Sequence, residues 1–235
     1  MSNFFQILVA SGNSYNNGIV TIQKPLISFV FDDARDTDPL VLSIFNEYGF
    51  KVTFALMTNV LTESKDAFYQ SAYAEGHGIL AHSVSHMDMS SSGKDTQVRA
   101  EMESSKSYIE ALGIPIRGWV TPYSVLHPSY LYLTEELFDY AYTTDNTGFT
   151  KDVPVNTLQR YGIEANRLQG TLDQIDLAIA NNLYVTFYGH EIPSSYTGFF
   201  SEADLRATLD YVQIKVNAGE LDIKTTDEAY EILYN

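Results

Sequence analysis

Apolar positions along the chain switch between strand-like runs and helix-like spacing. Residues 26–31 form an apolar, β-favouring run that two aspartates end, which predicts a buried strand. Asp38 and Pro39 then predict a helix start, because Asp is a favoured N-cap and Pro a favoured first helical residue. Gly49 predicts the end of this helix. The apolar residues in between recur at helical spacing: Leu40, Val41, Ile44, Phe45 and Tyr48.

The same alternation continues to the end of the chain. The pattern predicts six further strands before the last one, at 50–57, 78–81, 118–120, 141–144, 158–163 and 184–188, and a short final strand at 221–223. It predicts further helices at 63–75, 95–112, 128–140, 202–216 and 227–233. Thr171 is the predicted N-cap of one more helix, which contains Leu172, Ile175 and Ile179.

Repeated alternation of strands and helices predicts a mostly parallel sheet covered by helices. A closed barrel and an open doubly wound sheet both produce this pattern. The turn after the first predicted strand carries neither G-x-G-x-x-G nor G-x-x-x-x-G-K-[ST], so we favour an α/β fold of the irregular or incomplete (β/α) barrel type. No repeat or linker divides residues 25–235, which predicts one domain after a polar lead-in or linker at 1–24.

Composition and charge narrow the classes of partner. The chain has 235 residues, and a hydrophobic fraction of 45% is enough for a sizeable core. Lys plus Arg number 14 and Asp plus Glu number 30, which gives a formal net charge of −16. Such a surface repels phosphate backbones and anionic membranes, which argues against a nucleic-acid partner. No apolar run reaches the about 18 residues of a membrane span, so we expect no membrane insertion.

The absence of cysteine limits the candidate metal ligands, and the N-terminal segment bears on where the protein is located. The chain has no cysteine, so His, Asp and Glu remain as candidate metal ligands. An apolar run at 4–10 lacks the basic flank of a signal peptide. This start and the polar lead-in suit a domain with an upstream module in an extracellular, cell-surface or phage-borne protein.

Side chains suited to metal chemistry follow several predicted strands. Asp32 and Asp33 follow the first strand, His82 and His86 the third, and His190 the seventh. In both architectures the active site lies at the carboxyl ends of the strands. Two histidines four residues apart lie on one side of a helical turn, and a carboxylate would complete a three-ligand catalytic metal site.

Two adjacent carboxylates at such a site suit different tasks. One can ligate a metal while the other accepts a proton from an activated water, and the strand-exit histidine suits a general acid. The structural alternative is an Asp pair that only ends a strand and a histidine whose nitrogens are satisfied in the core.

Four motifs of the chain resemble those of a known family. They are Phe31-Asp32-Asp33, His82-Ser83-Val84-Ser85-His86, Thr121-Pro122-Tyr123 and a strand ending in His190. In this order they resemble the motifs of the polysaccharide deacetylases, family four of the carbohydrate esterases, from about residue 25 to the C-terminus. The resemblance implies an irregular (β/α) barrel. It also implies metal-dependent removal of acetyl groups from an acetylated oligo- or polysaccharide, by N-deacetylation of amino sugars or O-deacetylation.

The resemblance further implies a role for each matching residue. Asp32 matches the general base and His190 the general acid. Tyr123, next to Pro122, matches the residue whose backbone N–H binds the oxyanion, and Ser83 would support the histidine loop. One divalent ion, zinc or else cobalt or nickel, would be held by three residues: Asp33, His82 and His86.

Two positions depart from the family pattern. The family commonly has an Arg two positions before the Pro of the third motif, where it orients the base, and this chain has Val120 there. Arg117 lies on a predicted strand nearby, and we do not assign it that role. The Asp-Trp pair that tunes the acid histidine is not recognisable, because Trp119 is the only Trp; Asp145 is the predicted carboxylate.

Two other functions remain open from the sequence. One is a non-catalytic carbohydrate-binding module with a relic metal site, and the other is a metal-dependent amidohydrolase that acts on a small non-sugar amide. The negative charge suits a neutral glycan substrate and a cationic product.

Overall fold

The computed structural model describes residues 22–145, 147–150, 154–192 and 200–234. The lead-in expected at 1–24 therefore lies almost entirely outside the described residues. None of the helices in these ranges has the length and apolar character required to cross a membrane.

Strands and helices alternate along the described chain. The strands are β1 (Leu26–Asp32), β2 (Thr53–Leu56), β3 (Gly78–Ala81), β4 (Gly118–Val120), β5 (Tyr140–Asp145), β6 (Phe149–Thr150), β7 (Leu158–Gly162), β8 (Tyr184–Gly189) and β9 (Asp222–Ile223). The helices are α1 (Asp38–Glu47), α2 (Glu63–Ala74), α3 (Asp95–Ala111), α4 (Leu131–Leu137), α5 (Ile163–Asn181), α6 (Glu202–Asn217) and α7 (Thr226–Tyr234).

Seven of the strands close into a parallel barrel. Around the ring the order is β1, β2, β3, β4, β5, β7 and β8, and β8 pairs back onto β1. This closing register runs from Leu26 opposite Tyr184 to Phe31 opposite Gly189. On its other side, β1 pairs with β9 near its start and with β2 near its end, while β6 lies antiparallel to β8. The predicted irregular (β/α) barrel is confirmed.

Side chains of the strands alternate between the helix layer and the barrel interior. The outward side chains of β1 pack in the larger core beneath the helices: Ile27, Phe29 and Phe31. Val30 packs in a smaller interior cluster, and so does Leu158 of β7. Because the period along a strand is two residues, Asp32 shares the inward face of Val30, and Arg160 shares that of Leu158. Both charged side chains are therefore carried to the carboxyl end of the interior.

Tyrosines fill the opposite, amino-terminal end of the barrel. The hydroxyl oxygens of Tyr142 and Tyr184 lie 2.9 Å apart, and the Tyr184 hydroxyl donates to Ser28 Oγ at 3.0 Å. Tyr140 donates to Asp227 Oδ1 of α7 at 2.6 Å. Buried tyrosines require such partners for their hydroxyls. This end is closed by a hydrogen-bonded plug, and the candidate catalytic residues lie at the other end.

Three predicted helix boundaries are wrong. The helix expected after Thr171 begins at Ile163, since the chain passes from β7 directly into α5, and Thr171 is buried within the helix. The helix expected at 128–140 is a 3-10 turn followed by α4, because the chain then extends into β5. Asp38 is the first helical residue of α1, and Thr37 occupies the N-cap position.

Candidate metal centre and active site

Three of the predicted site residues converge at the mouth of the barrel. Asp33 follows β1, and His82 follows β3, while His86 comes from the loop after His82. Asp33 Oδ1 lies 3.3 Å from His82 Nε2 and 3.5 Å from His86 Nε2, and the three ligand atoms all lie within 4.8 Å of one another.

This geometry suits a divalent cation. Two ligands that are each about 2.1 Å from a tetrahedral zinc ion lie about 3.4 Å from one another, close to the observed separations. Asp33 Oδ1 and His82 Nε2 are also buried, and within the described part of the chain neither atom has a hydrogen-bond partner. Leaving such atoms unsatisfied is costly, and an ion between them would remove that cost. The residues present therefore fit a metal.

Hydrogen bonds orient two of the candidate ligands. His82 Nδ1 lies 2.9 Å from the carbonyl oxygen of Val120, which fixes the tautomer with the proton on Nδ1 and leaves the Nε2 lone pair facing Asp33. Arg35 Nη2 donates to Asp33 Oδ2 at 2.7 Å, so Oδ1 is the oxygen that faces the histidines.

The segment between the two histidines is a tight loop, not the helical turn that the spacing suggested. Ser83 and His86 have φ angles of 68° and 60°, in the left-handed region. Ser83 Oγ accepts a hydrogen bond from the His86 N–H at 2.9 Å. The carboxylate of Glu101, on α3, accepts the backbone N–H groups of Val84 and Ser85, each at 2.8 Å. The loop is thus braced from inside and from α3.

The electrostatic environment favours the protonation states that metal ligation requires. Burial opposes ionisation of Asp33, but the neighbouring His82 imidazole, 3.3 Å away, outweighs it and holds the pKa of Asp33 well below its ordinary value. Burial and the neighbouring His82 lower the pKa of His86. At neutral pH the site therefore presents an ionised carboxylate and a neutral imidazole.

Asp32, the predicted base, is paired with an arginine of β7, which only β8 separates from β1 around the ring. Arg160 Nη1, on β7, lies 2.8 Å from each carboxylate oxygen of Asp32, and both side chains are 2% exposed. The Arg160 guanidinium also stacks on the Tyr188 ring, 4.2 Å from its centroid. Burial opposes the charge of Arg160, but attraction to Asp32 and Asp145 raises its pKa above the ordinary value.

His190, the predicted acid, is held by Glu164 of α5. His190 Nδ1 lies 2.9 Å from Glu164 Oε2, and the His190 backbone N–H donates to Oε1 at 2.8 Å. Burial opposes protonation of His190, but the hydrogen bond to Glu164 and the charge of Asp32 raise its pKa above the ordinary value. The prediction of Asp145 as this partner is wrong, because Asp145 instead accepts a hydrogen bond from the Tyr188 hydroxyl.

Pro122 and Tyr123 lie at the exit of β4. Pro122 is buried, and Tyr123 has left-handed backbone angles of φ 57° and ψ 10°. The Tyr123 side chain is 64% exposed, and its ring centroid lies 4.4 Å from that of His86. Arg117 lies away from this exit, where it pairs with Asp139 and Glu231. The turn that follows β4 therefore forms one wall beside the candidate ligands.

Comparison with known proteins assigns the family. A family model described as polysaccharide deacetylase matches residues 20–143, which is more than half of the chain. The chain belongs to the polysaccharide deacetylase family.

The chain is similar to part of a longer curated protein. It is 28% identical over 123 residues to a bifunctional xylanase/deacetylase of Pseudobutyrivibrio xylanivorans. The match covers 50% of this chain and 20% of that protein, so the chain spans about a fifth of the length of this relative.

Solved structures share the fold. The Xyl-CE4 domain of a multidomain xylanase from the hindgut metagenome of Trinervitermes trinervoides has a TM-score of 0.60 and 20% identity, over 88% of this chain and 90% of that one. A family 4 acetyl xylan esterase from Clostridium thermocellum, in complex with cobalt, has a TM-score of 0.60 and 19% identity, over 88% and 91%. A CE4 family pseudoenzyme from Bacillus anthracis has a TM-score of 0.59 and 14% identity, over 91% and 66%.

The sequence reasoning missed Arg160, Glu164 and Glu101. A signal for Arg160 was present: it follows Leu158 by two residues in a predicted strand, so the alternation of side chains along a strand places both on the same face. Glu164 was missed because the start of α5 was predicted too late. No local sequence signal distinguishes Glu101 from the other acidic residues of α3, since its role depends on a loop 16 residues away.

Proposed function

We propose that this domain is a metal-dependent hydrolase that removes acetyl groups from a glycan, by N-deacetylation or O-deacetylation. The observation that carries the proposal is the convergence of three candidate ligand atoms at the barrel mouth, with two of those atoms buried and unpartnered. Membership of the polysaccharide deacetylase family supports it.

Asp33, His82 and His86 would hold the metal. When bound, a divalent ion supplies polarisation of the acetyl carbonyl and a water of lowered pKa. Zinc suits two imidazole nitrogens and one carboxylate oxygen, and cobalt, the ion in the Clostridium thermocellum structure, is an alternative.

Asp32 would act as the general base. The water that adds to the acetyl carbon gives its proton to this carboxylate, which neighbours Asp33 in the chain. Arg160 holds both Asp32 oxygens at 2.8 Å and balances the charge of the carboxylate at a buried position. Because a carboxylate has about four lone-pair positions, two remain for the water.

His190 would act as the general acid. Its raised pKa favours the protonated imidazole at the start of the reaction. Since Glu164 binds Nδ1, the Nε2 proton is the one that His190 gives to the departing nitrogen or oxygen as its bond to the acetyl carbon breaks. The products are acetate and a free amine or hydroxyl group.

Tyr123 and Pro122 would support the tetrahedral oxyanion. The proposed donor is the backbone N–H of Tyr123, in the left-handed turn that follows buried Pro122. The contact of the Tyr123 ring with His86 keeps this turn beside the candidate ligands.

An acetylated xylan or oligosaccharide is the substrate class that the relatives suggest, since one is a xylanase/deacetylase and one an acetyl xylan esterase. The domain is proposed at 25–235, behind a lead-in at 1–24. Because the match covers only a fifth of the xylanase/deacetylase, we infer that this domain is a module of a larger protein. A non-catalytic glycan-binding role is the second candidate, because one protein with this fold is a pseudoenzyme.

Acetate release tests these alternatives. We expect the zinc-loaded domain to release acetate from acetylated xylo-oligosaccharides or N-acetylated chito-oligosaccharides, and to lose this activity with a chelator. Glycan retention without any acetate release would instead establish the binding module. Hydrolysis of a small acetamide at a higher kcat/KM than either glycan would establish the amidohydrolase.

A further inference from the structure

The junction of β7 and α5 touches both the proposed base and the proposed acid. β7 ends at Gly162 and α5 begins at the next residue, so no loop separates strand from helix. Arg160 is the middle residue of β7, and Glu164 lies in the first turn of α5. Arg160 reaches Asp32, and Glu164 reaches His190.

Each contact of the junction uses two hydrogen bonds. Arg160 bonds both oxygens of one carboxylate, and Glu164 bonds both the ring Nδ1 and the backbone N–H of one histidine. A single hydrogen bond leaves a side chain free to rotate about it, whereas two bonds define its orientation. The junction thus orients one carboxylate and one imidazole at the ends of the paired strands β1 and β8.

The junction is itself packed tightly against β8. A Cβ placed on Gly189, the residue before His190, would lie 3.1 Å from the Ile163 side chain. A Cβ placed on Gly162 would lie 3.1 Å from the hydroxyl oxygen of Tyr188, whose ring supports the Arg160 guanidinium. Close packing of this kind resists displacement, so Arg160 and Glu164 keep a fixed relation to each other.

The pair of Arg160 and Asp32 is expensive to bury. Both side chains are 2% exposed. In the interior, the attraction between two charges offsets the free energy of their desolvation only if the geometry of the pair is good. Such pairs are weak sources of stability, so their stronger effect here is to define where the carboxylate lies.

We propose that residues 160–164 form one positioning unit, which sets the orientation and separation of the base Asp32 and the acid His190. This inference rests on the proposed function. It assigns both partner roles to one segment of this chain, whereas Val120 stands at the family's arginine position and Asp145 accepts a hydrogen bond from the Tyr188 hydroxyl.

The first test is a set of matched variants of Arg160. We expect Arg160→Met to lower kcat roughly 10²-fold, within the range of general base catalysis, with little change in KM or zinc content. Arg160→Lys should recover only part of the lost kcat, because the ammonium keeps the positive charge but cannot reproduce the planar guanidinium. The control is Arg117→Met, which breaks two ion pairs outside the site and should keep the wild-type kcat.

A double-mutant cycle separates positioning from structure. If Arg160 acts through Asp32, adding Arg160→Met to Asp32→Asn should change kcat less than twofold, although it changes kcat about 10²-fold in the wild type. A similar loss in both backgrounds would show a general structural role and overturn the inference. If Arg160→Met does not fold, the Arg160→Lys variant and Glu164→Gln decide the question.

Glu164→Gln tests the acid side through a pH profile. Among the described residues, the charged or titratable groups facing His190 are Glu164 from α5, Asp32 at the end of β1, Asp33 after it, His86 from the histidine loop and Tyr188 of β8. Removing the charge of Glu164 should lower the pKa of His190, so the high-pH limb of kcat should move to lower pH. Zinc content should not change.

The outcomes of these tests distinguish the two proposals. A zinc-loaded wild type that releases no acetate would overturn the proposed function and this inference with it. An active wild type whose kcat and pH profile are unchanged by Arg160→Lys and Glu164→Gln would overturn only the inference.

Discussion

At the scale of single residues, the two aspartates that end β1 have different neighbours although they are adjacent in the chain. Asp32 faces inward and pairs with Arg160, whereas Asp33 has a φ angle of 77° and turns its Oδ1 toward two histidines. The left-handed backbone at Asp33 is what separates the two carboxylates. The resemblance assigned one as base and the other as ligand, and the contacts give that division a physical basis.

Substitution of each aspartate tests this division. Asp32→Asn should keep its zinc and lose roughly 10²–10⁴-fold in kcat, since an amide cannot accept the proton. It should also lower Tm, because Arg160 loses its counter-charge. Asp33→Asn should bind zinc more weakly, and excess zinc should partly restore its kcat. Metal content and kcat of both variants are the measurements, and loss of zinc from Asp32→Asn alone would reverse the two roles.

A buried histidine outside the site gives a prediction about stability and pH. His77 Nδ1 accepts the Val52 N–H at 3.2 Å, and burial lowers the pKa of His77 to about 4. The unfolded chain, with an ordinary pKa near 6.5, takes up the proton first as pH falls. His77 therefore stabilises the fold at neutral pH, and this contribution is lost between about pH 6.5 and 4, at no more than about 1.4 kcal/mol per pH unit.

The matched measurement is urea denaturation of the wild type and His77→Gln at pH 5 and pH 7. We expect the wild type to lose more of its free energy of unfolding between these pH values than the variant does. Equal losses in the two proteins would show that His77 is not the titrating group.

At the scale of elements, the loop from His82 to His86 depends on α3 for its shape. Glu101 accepts two backbone N–H groups and the Ser85 hydroxyl, the last at 2.6 Å, while Ser83 braces the loop from within. Two residues of the loop have positive φ angles, which costs free energy unless neighbouring contacts offset it. Glu101 supplies such contacts without touching a candidate ligand side chain.

Glu101→Ala tests the loop brace. We expect zinc affinity to fall roughly 10–100-fold, in the range seen when outer partners of metal ligands are removed. Glu103→Ala is the control, since Glu103 is half-exposed on the same helix and pairs with Arg99. Zinc affinities from competition with a chelator provide the comparison, and equal affinities of the two variants would exclude the brace.

The β7–α5 junction shows where the sequence pattern is not sufficient. Thr171 has the chemistry of an N-cap, but α5 begins at Ile163 because the strand leads straight into the helix. The predicted strand at 158–163 and the predicted cap at Thr171 left residues 164–170 without an assignment, and this hid Glu164 at the helix start. In contrast, β3 and β4 coincide with their predicted ranges, since each is a short apolar run between clear boundaries.

At the scale of the whole molecule, the barrel brings together residues that are distant in the chain. Asp32 and Arg160 are separated by 128 positions, and their contact depends on seven strands closing into a ring. The polar residues that directly follow predicted strands indicated which side chains gather at the mouth of the barrel, because all parallel strands end there. The partners of those side chains were not predicted, since Arg160 depends on the pairing of β7 and β1 with β8, and Glu101 on the contact of α3 with the histidine loop.

We propose that acetyl removal requires one metal ion, held by Asp33, His82 and His86. The most direct measurement is acetate release by chelator-treated protein as zinc is added back, alongside His86→Ala. We predict that the rate of the wild type rises from background and levels off at about one equivalent of zinc per chain, whereas His86→Ala needs a large excess. A full rate after chelation, or the same zinc dependence in both proteins, would contradict the account.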